Sequence, residues 1–280
     1  MSVKIIQERL SQYQSQSIQE EEHALKEITQ ELALNSLYNA GFFKKAAFQG
    51  GTCLRILYGL NRFSEDLDFA LIKPDTAFDL KHYLTAINTE LSAFGYDVKL
   101  ESRSSSNNVQ NAFLKDDSLG RILKVQYPKY GGPSRQLKVK FEVDTNPPTG
   151  ADTETKFHDF PIPFSLTAHN LPSLFAGKSH ALLCRQFVKG RDWFDFLWYV
   201  SRKPTLNFQF LSNALNQHGP WKESGVDVDM AWYKANMEAR IKGIDWVKAK
   251  ADVQRFLRPS DAKSLELWNA DFFLWNLGRI

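Results

Sequence analysis

The chain has 280 residues, 43% of them hydrophobic and 24% charged, with a formal net charge of +3. This is the composition of a soluble globular protein with room for one large domain or two smaller ones, and a pI near 8.7 is too mild to demand nucleic acid by itself. Cys53, Cys184 and six histidines lack disulfide-framework or zinc-ligand spacing, and no run of ~18 apolar residues or signal-type leader occurs, so a cytoplasmic protein without a membrane is expected.

Residues 2–15 are polar, with Ile5, Ile6, Leu10 and Tyr13 among them, and read as a short helix. From Ser17 to Asn39 the residues Ala24, Leu25, Ile28, Leu32, Leu37 and Tyr38 recur at three and four. With Glu20, Glu21 and Glu22 in the first turn, that spacing predicts an amphipathic helix. Lys45 to Gln49 reads as a short buried strand entering Gly50-Gly51, and Thr52 to Tyr58 as a helix. The next apolar segment carries Asp66 and Asp68. On a strand these project from one face while Leu67 and Phe69 turn inward. Two adjacent acids stay ionised together only beside positive charge, and a hard divalent cation with oxygen ligands supplies it. Gly50 and Gly51 let backbone N–H groups approach an anion where a helix begins. Together these features suggest a metal-bound polyphosphate.

Asp75 to Phe94 has an apolar helical face, after which Tyr96–Leu100, Val109–Leu114, Arg121–Tyr127 and Gln136–Asp144 alternate with period two. Gly131–Ser134 forms a turn among them. This predicts a mixed sheet with helices on one side, an α+β fold. In the last of these strands Leu137, Val139, Phe141 and Val143 face one way and Lys140, Glu142 and Asp144 the other, so Glu142 and Asp144 are both candidates for a third carboxylate. A polar connector then leads to a proline-marked edge segment over 157–166. Helices are expected at 174–187, 192–201, 208–217, 227–241, 247–256 and 260–277, with Pro204, Pro220 and Pro259 between them. The division is an α+β domain over 1–168 and a helical bundle over 169–280.

The run GGTCLRILYGLNRFSEDLDF resembles the signature of the AbiEii/AbiGii toxin-type nucleotidyltransferases, a branch of the DNA polymerase beta-like superfamily. Gly51-Thr52 stands for the family's Gly-Ser pair, thirteen residues ahead of Asp66, and keeps a hydroxyl. The run KFEVDTNPP is similar to the family's third-acid strand, which favours Glu142 and leaves Asp144 as the alternative. Lys178, followed by Lys189-Gly190-Arg191-Asp192 and Asp195, resembles the family's helical lysine and Arg-Asp pair. The resemblance spans about residues 46–200. It implies a two-ion Mg²⁺ site held by Asp66, Asp68 and Glu142, with Lys178 on the phosphates of an NTP substrate. Gly50, Gly51, Thr52, Arg55 and Asp192 would be further nucleotide-binding residues. It also implies the toxin of a bacterial toxin–antitoxin pair, an RNA (tRNA) 3′ hydroxyl as acceptor, and an antitoxin that need not touch the toxin. The alternatives are transfer to a protein or small-molecule hydroxyl, and a non-catalytic nucleotide-binding module.

Plainer readings compete at several positions. Arg55 and Arg62 are phosphate contacts or ion-pair partners of Glu65 or another acid, and Asp192 and Asp195 are site residues or salt-bridge their own helix through Arg191. The series Trp193, Phe194, Phe196, Trp198 and Tyr199 is read as core. Phe272, Phe273 and Trp275 are expected to seal the last helix, and His158, His169 and His180 to be ordinary histidines.

Overall fold

A computed structural model of the chain describes residues 2–102, 118–127 and 135–280. The expected strand at 109–114 and the turn at 131–134 lie outside the described residues. Two helices open the fold, α1 (Ser2–Ser11) and α2 (Ile18–Asn39). The side chain of Ser17 accepts the Glu20 N–H and starts α2, whose apolar stripe is buried.

Then come β1 (Ala46–Gln49), α3 (Gly50–Tyr58), β2 (Asp66–Leu71), α4 (Lys81–Ala93), β3 (Asp97–Ser102), β4 (Ser118–Tyr127), β5 (Arg135–Asp144), β6 (Thr153–His158) and β7 (Phe164–His169). The seven strands form one sheet in the order β3-β4-β5-β2-β1-β7-β6. It is mixed, being parallel at β2/β5 and β1/β7 and antiparallel elsewhere. The fold is α+β, as the sequence predicts.

Several boundaries differ, three of them for reasons plain in the local structure. Helix α4 starts at Lys81 and not near Asp75, because the Asp75 and Asp79 carboxylates take the N–H groups of Ala77 and Lys81 in local turns. The polar connector contains the edge strand β6, and Pro161 and Pro163 lie in the turn beyond it. The helix expected over 260–277 is broken into α10 (Pro259–Ala262), a 3-10 turn (Lys263–Leu267) and α11 (Ala270–Leu277). Trp268 sits buried in an extended link, and Asn269 caps α11 by accepting the Phe272 N–H.

The other helices are α5 (Leu171–Cys184), α6 (Gly190–Arg202), α7 (Phe208–Gln217), α8 (Met230–Lys242) and α9 (Trp246–Gln254). In the sheet Phe69 packs edge-on to Phe42 at 4.9 Å and lies 5.3 Å from Phe48. Among the helices, Trp193, Trp246, Trp268 and Phe273 interlock. One apolar cluster runs through both groups, so α5 and α6 are packed in fixed positions beside the sheet. Trp275 departs from the expected role: it is 63% exposed, with Arg279 over its ring.

Candidate active site

The parallel register of β2 on β5 sets Asp66 opposite Lys140 and Asp68 opposite Glu142. Leu67, Phe69, Phe141 and Val143 are all buried, which by alternation leaves Asp66, Asp68, Lys140 and Glu142 on the other face. Burial first, then the charges of Asp66 and Glu142, push the Asp68 carboxyl up to about 7, with Lys189 and Lys140 pulling it back. Lys140 also ion-pairs with Glu142. Asp144 falls two residues further along, opposite Ala70, where its Oδ1 accepts the Asn146 N–H at 3.2 Å.

Among the described residues no three His, Cys, Asp or Glu side chains stand as a ready-made metal cage. What the strand pair offers is a set of hard oxygen donors whose repulsion is incompletely neutralised. That set fits a hard divalent cation, whose charge would replace the proton Asp68 otherwise attracts.

The glycine pair closes over these acids. Gln49 pairs with Asp68 across β1 and β2, and Gly50 follows with φ +79°, where a Cβ would stand 2.5 Å from Asp68 Oδ2. At Gly51 a Cβ would meet Arg62 Nη2 at 2.7 Å and Ser64 Oγ at 3.0 Å. The left-handed backbone and Asp68 hold the first position to glycine, and a side chain at the second would have to push aside Arg62 and Ser64. The helix begins at Gly50 itself, two residues before the predicted start, so the free N–H groups of its first turn lie beside the Asp68 carboxylate. Thr52 is fully buried and its hydroxyl donates to the Asp66 carbonyl, tying the start of α3 to the start of β2.

The cationic wall comes from α5 and α6. Lys178 Nζ lies 2.6 Å from Asp192 Oδ1 and 2.8 Å from Asp195 Oδ2. Asp195 takes Arg62 in a two-pronged pair, Nε to Oδ1 and Nη2 to Oδ2, both at 2.7 Å. Arg185 Nε is 3.2 Å from Asp192 Oδ2. Burial alone would raise Asp192, but Lys178, Arg185 and Lys189 hold its carboxyl well below the usual range.

Of the predicted site residues, Asp66, Asp68, Glu142, Gly50, Gly51 and Thr52 converge at one end of β2, and Lys178 and Asp192 belong to the cationic wall. Arg55 turns elsewhere. Its Nε reaches Glu27 Oε2 and its Nη1 the Leu60 carbonyl, both at 2.9 Å, so its partner is Glu27 and not Glu65. Glu65 is taken by Lys26 at 2.9 Å and by Arg191 at 3.5 Å. Arg62 pairs with Asp195, and Arg191 salt-bridges neither Asp192 nor Asp195. Trp193, Phe196, Trp198 and Tyr199 are core, while His158 contacts Glu31 and His169 packs on Phe210. Glu27, Glu31 and Gln30 on the buried side of α2 were missed. No spacing marks them, because α2 is buried almost all round, and each holds a distant partner: Glu27 holds Arg55, Glu31 holds Arg9 and Gln30 holds the Ser64 carbonyl.

The geometry agrees with what the chain is similar to. The family model for the nucleotidyl transferase AbiEii toxin of type IV toxin–antitoxin systems matches residues 32–274. The crystal structure of JHP933 from Helicobacter pylori shares the fold at 16% identity and TM-score 0.50, over 94% of this chain and 90% of that one. A nucleotidyltransferase candidate from H. pylori aligns at 15% identity and TM-score 0.49, over 89% of this chain and 90% of its own. No curated protein matches at a significant level. A family match over nearly the whole chain, on a fold that gathers the Asp-x-Asp pair under the glycine turn, makes this protein a nucleotidyltransferase of the AbiEii toxin family.

Proposed function

We propose that the enzyme is metal-dependent and moves a nucleoside monophosphate from a nucleoside triphosphate to an RNA 3′ hydroxyl, that of a tRNA. The observation that carries the reading is the β2–β5 register, which puts Asp68 beside Glu142 directly beneath Gly50. Asp66, Asp68 and Glu142 would hold Mg²⁺, in a two-ion site. When bound, the metal neutralises charge on the transferring phosphoryl group.

The chain's own residues do the rest. The first-turn N–H groups of α3 at Gly50 and Gly51 bind phosphate oxygens, and Thr52 keeps that turn on β2. Lys178, positioned by Asp192 and Asp195, adds positive charge for the β and γ phosphates. Glu142 accepts the proton of the attacking hydroxyl as its oxygen bonds to the α-phosphorus; the bond to the β-phosphate oxygen breaks and pyrophosphate leaves. Arg55 supports α3 through Glu27 instead of contacting phosphate. The divisions 1–168 and 169–280 both contribute to the site, the second supplying Lys178 and the Arg191-Asp192 corner. The enzyme works in the cytoplasm beside a separately encoded antitoxin.

The test is incubation of purified protein with each α-labelled NTP, Mg²⁺ and total bacterial RNA, resolved by size, with parallel protein and aminoglycoside acceptors. Label is expected in the tRNA band, and it should vanish with EDTA and in Asp66→Ala, whose thermal unfolding stays unchanged. Wild-type incorporation by Asp66→Ala would overturn the scheme, and label in protein or aminoglycoside would overturn the acceptor.

A further inference from the structure

Among the described residues, Lys189 is a cation beside the site that no carboxylate takes in an ion pair, although it feels the charge of Asp192. Arg62, Lys178 and Arg185 already share the two carboxylates of Asp192 and Asp195. Lys189 makes no hydrogen bond or ion pair through its side chain with any described residue, although that side chain is partly buried. Its charge reaches both the acid cluster, at Asp68, and the cationic wall, at Asp192. A lysine withdrawn from water without a partner is costly unless an anion arrives.

Its placement is also fixed. Lys189 is the residue that starts α6, and its carbonyl accepts the Asp192 N–H at 3.0 Å. Gly190 follows with its Cα pressed on α9, where a Cβ would collide with the Ala249 carbonyl. The Arg191 N–H reaches Asp252 Oδ2 at 3.3 Å. The backbone just after Lys189 is therefore fixed on α9, and the charge of its side chain acts on both the acids and the wall.

We propose that Lys189 is a substrate-binding residue, whose ammonium group pairs with the non-transferred phosphates of the nucleoside triphosphate. The proposal rests on the nucleotidyl-transfer reading above. It shares the work between two lysines: Lys178, held by two carboxylates, adds its charge from within the wall, and Lys189 pairs directly with the incoming anion. Consistent with a waiting cation, burial and the charges of Arg185, Arg191 and Lys178 lower Lys189 below the usual lysine value, against the pull of Asp192.

The experiment compares wild type with Lys189→Met and Lys189→Arg. Calorimetry measures tripolyphosphate binding with Mg²⁺, thermal melting is followed with and without tripolyphosphate, and the KM for NTP is taken separately from kcat. Lys189→Met should bind tripolyphosphate about ten- to a hundredfold more weakly, with a parallel rise in KM. Its melting temperature without ligand should hold or rise, since an unpaired charge is removed, and Lys189→Arg should recover most of the affinity. A structural lysine would behave in the opposite way, lowering the ligand-free melting temperature and leaving the ligand-induced shift intact; that outcome overturns the proposal. If wild type transfers nucleotides while Lys189→Met keeps its tripolyphosphate affinity and KM, the proposal falls and the reaction stands. If tripolyphosphate binds through Lys189 but no acceptor is labelled, the reaction reading falls and the anion site stands.

Discussion

Replacing Asp195 by alanine tests whether the cationic wall is held together as the distances indicate. Asp195 is fully buried and Arg62 is 2% exposed, joined by two hydrogen bonds of 2.7 Å, with Lys178 Nζ 2.8 Å away on the same carboxylate. Removing the carboxylate strands a guanidinium in the core and leaves Lys178 with Asp192 alone. Breaking such a pair from one side costs about 3–5 kcal/mol, because the remaining charge has neither water nor a counter-ion. With a urea slope of about 3 kcal/mol per molar for a chain of this size, the midpoint should fall by about 1 M or more. The double variant Arg62→Met/Asp195→Leu removes both charges and should recover most of the loss. A fall of less than about 1 kcal/mol in Asp195→Ala, or a double variant less stable than the single, would refute the reasoning.

Three further outcomes follow from the same geometry. Gly50→Ala must place a Cβ 2.5 Å from Asp68 Oδ2 at φ +79°, and should lose about 1–3 kcal/mol in urea unfolding; unchanged stability would show that the turn is not wedged there. Asp68→Asn removes a charge from a repelling trio, so melting without metal should hold or rise while transfer falls about a thousandfold or more, some 4 kcal/mol of barrier. A clear loss of metal-free stability would contradict that balance. Burial lowers His169 to about 4 from an ordinary 6.5. Above pH 6.5 both folded and unfolded chains hold it neutral and its full contribution is present. Between 6.5 and 4 the unfolded chain alone takes up the proton, so about 3 kcal/mol of stability is lost as pH falls through that window. His169→Gln should flatten this part of the pH–stability curve, and an unchanged slope would argue against it.

What could be read in the sequence was local. The stripe of α2, the alternation of β2 and the glycine pair each depend on neighbours within a few residues, and all three positioned the site from letters alone. The register of β2 on β5 is not local, and whether Glu142 or Asp144 stands opposite Asp68 depends on which backbone hydrogen bonds form across the sheet. The ion pairs were harder still. Arg62 finds Asp195 133 residues away, and Arg55 finds Glu27 on a helix read only for its apolar residues. β6 escaped because it is an edge strand with no buried face: Glu154 and Lys156 alternate with exposed residues, and no apolar period marks it.

The charge pattern also gives a reason to treat the acids and the wall as one site. Asp68 keeps a raised carboxyl even though Lys140 ion-pairs with Glu142, while Lys189 forms no ion pair with any described residue. Neither imbalance can correct the other within the free chain, since Lys189 lowers Asp68 without forming an ion pair. In the proposed reaction a nucleoside triphosphate with its magnesium would carry both charges at once, the cation for the carboxylates and the phosphates for the lysine. A ligand of one sign corrects only half. Tripolyphosphate alone should therefore bind weakly, and Mg²⁺ alone should bind weakly too, each strengthening the other in reciprocal titrations. Equal tripolyphosphate affinity with and without Mg²⁺ would separate the two walls into independent sites and remove this reason for treating them as one.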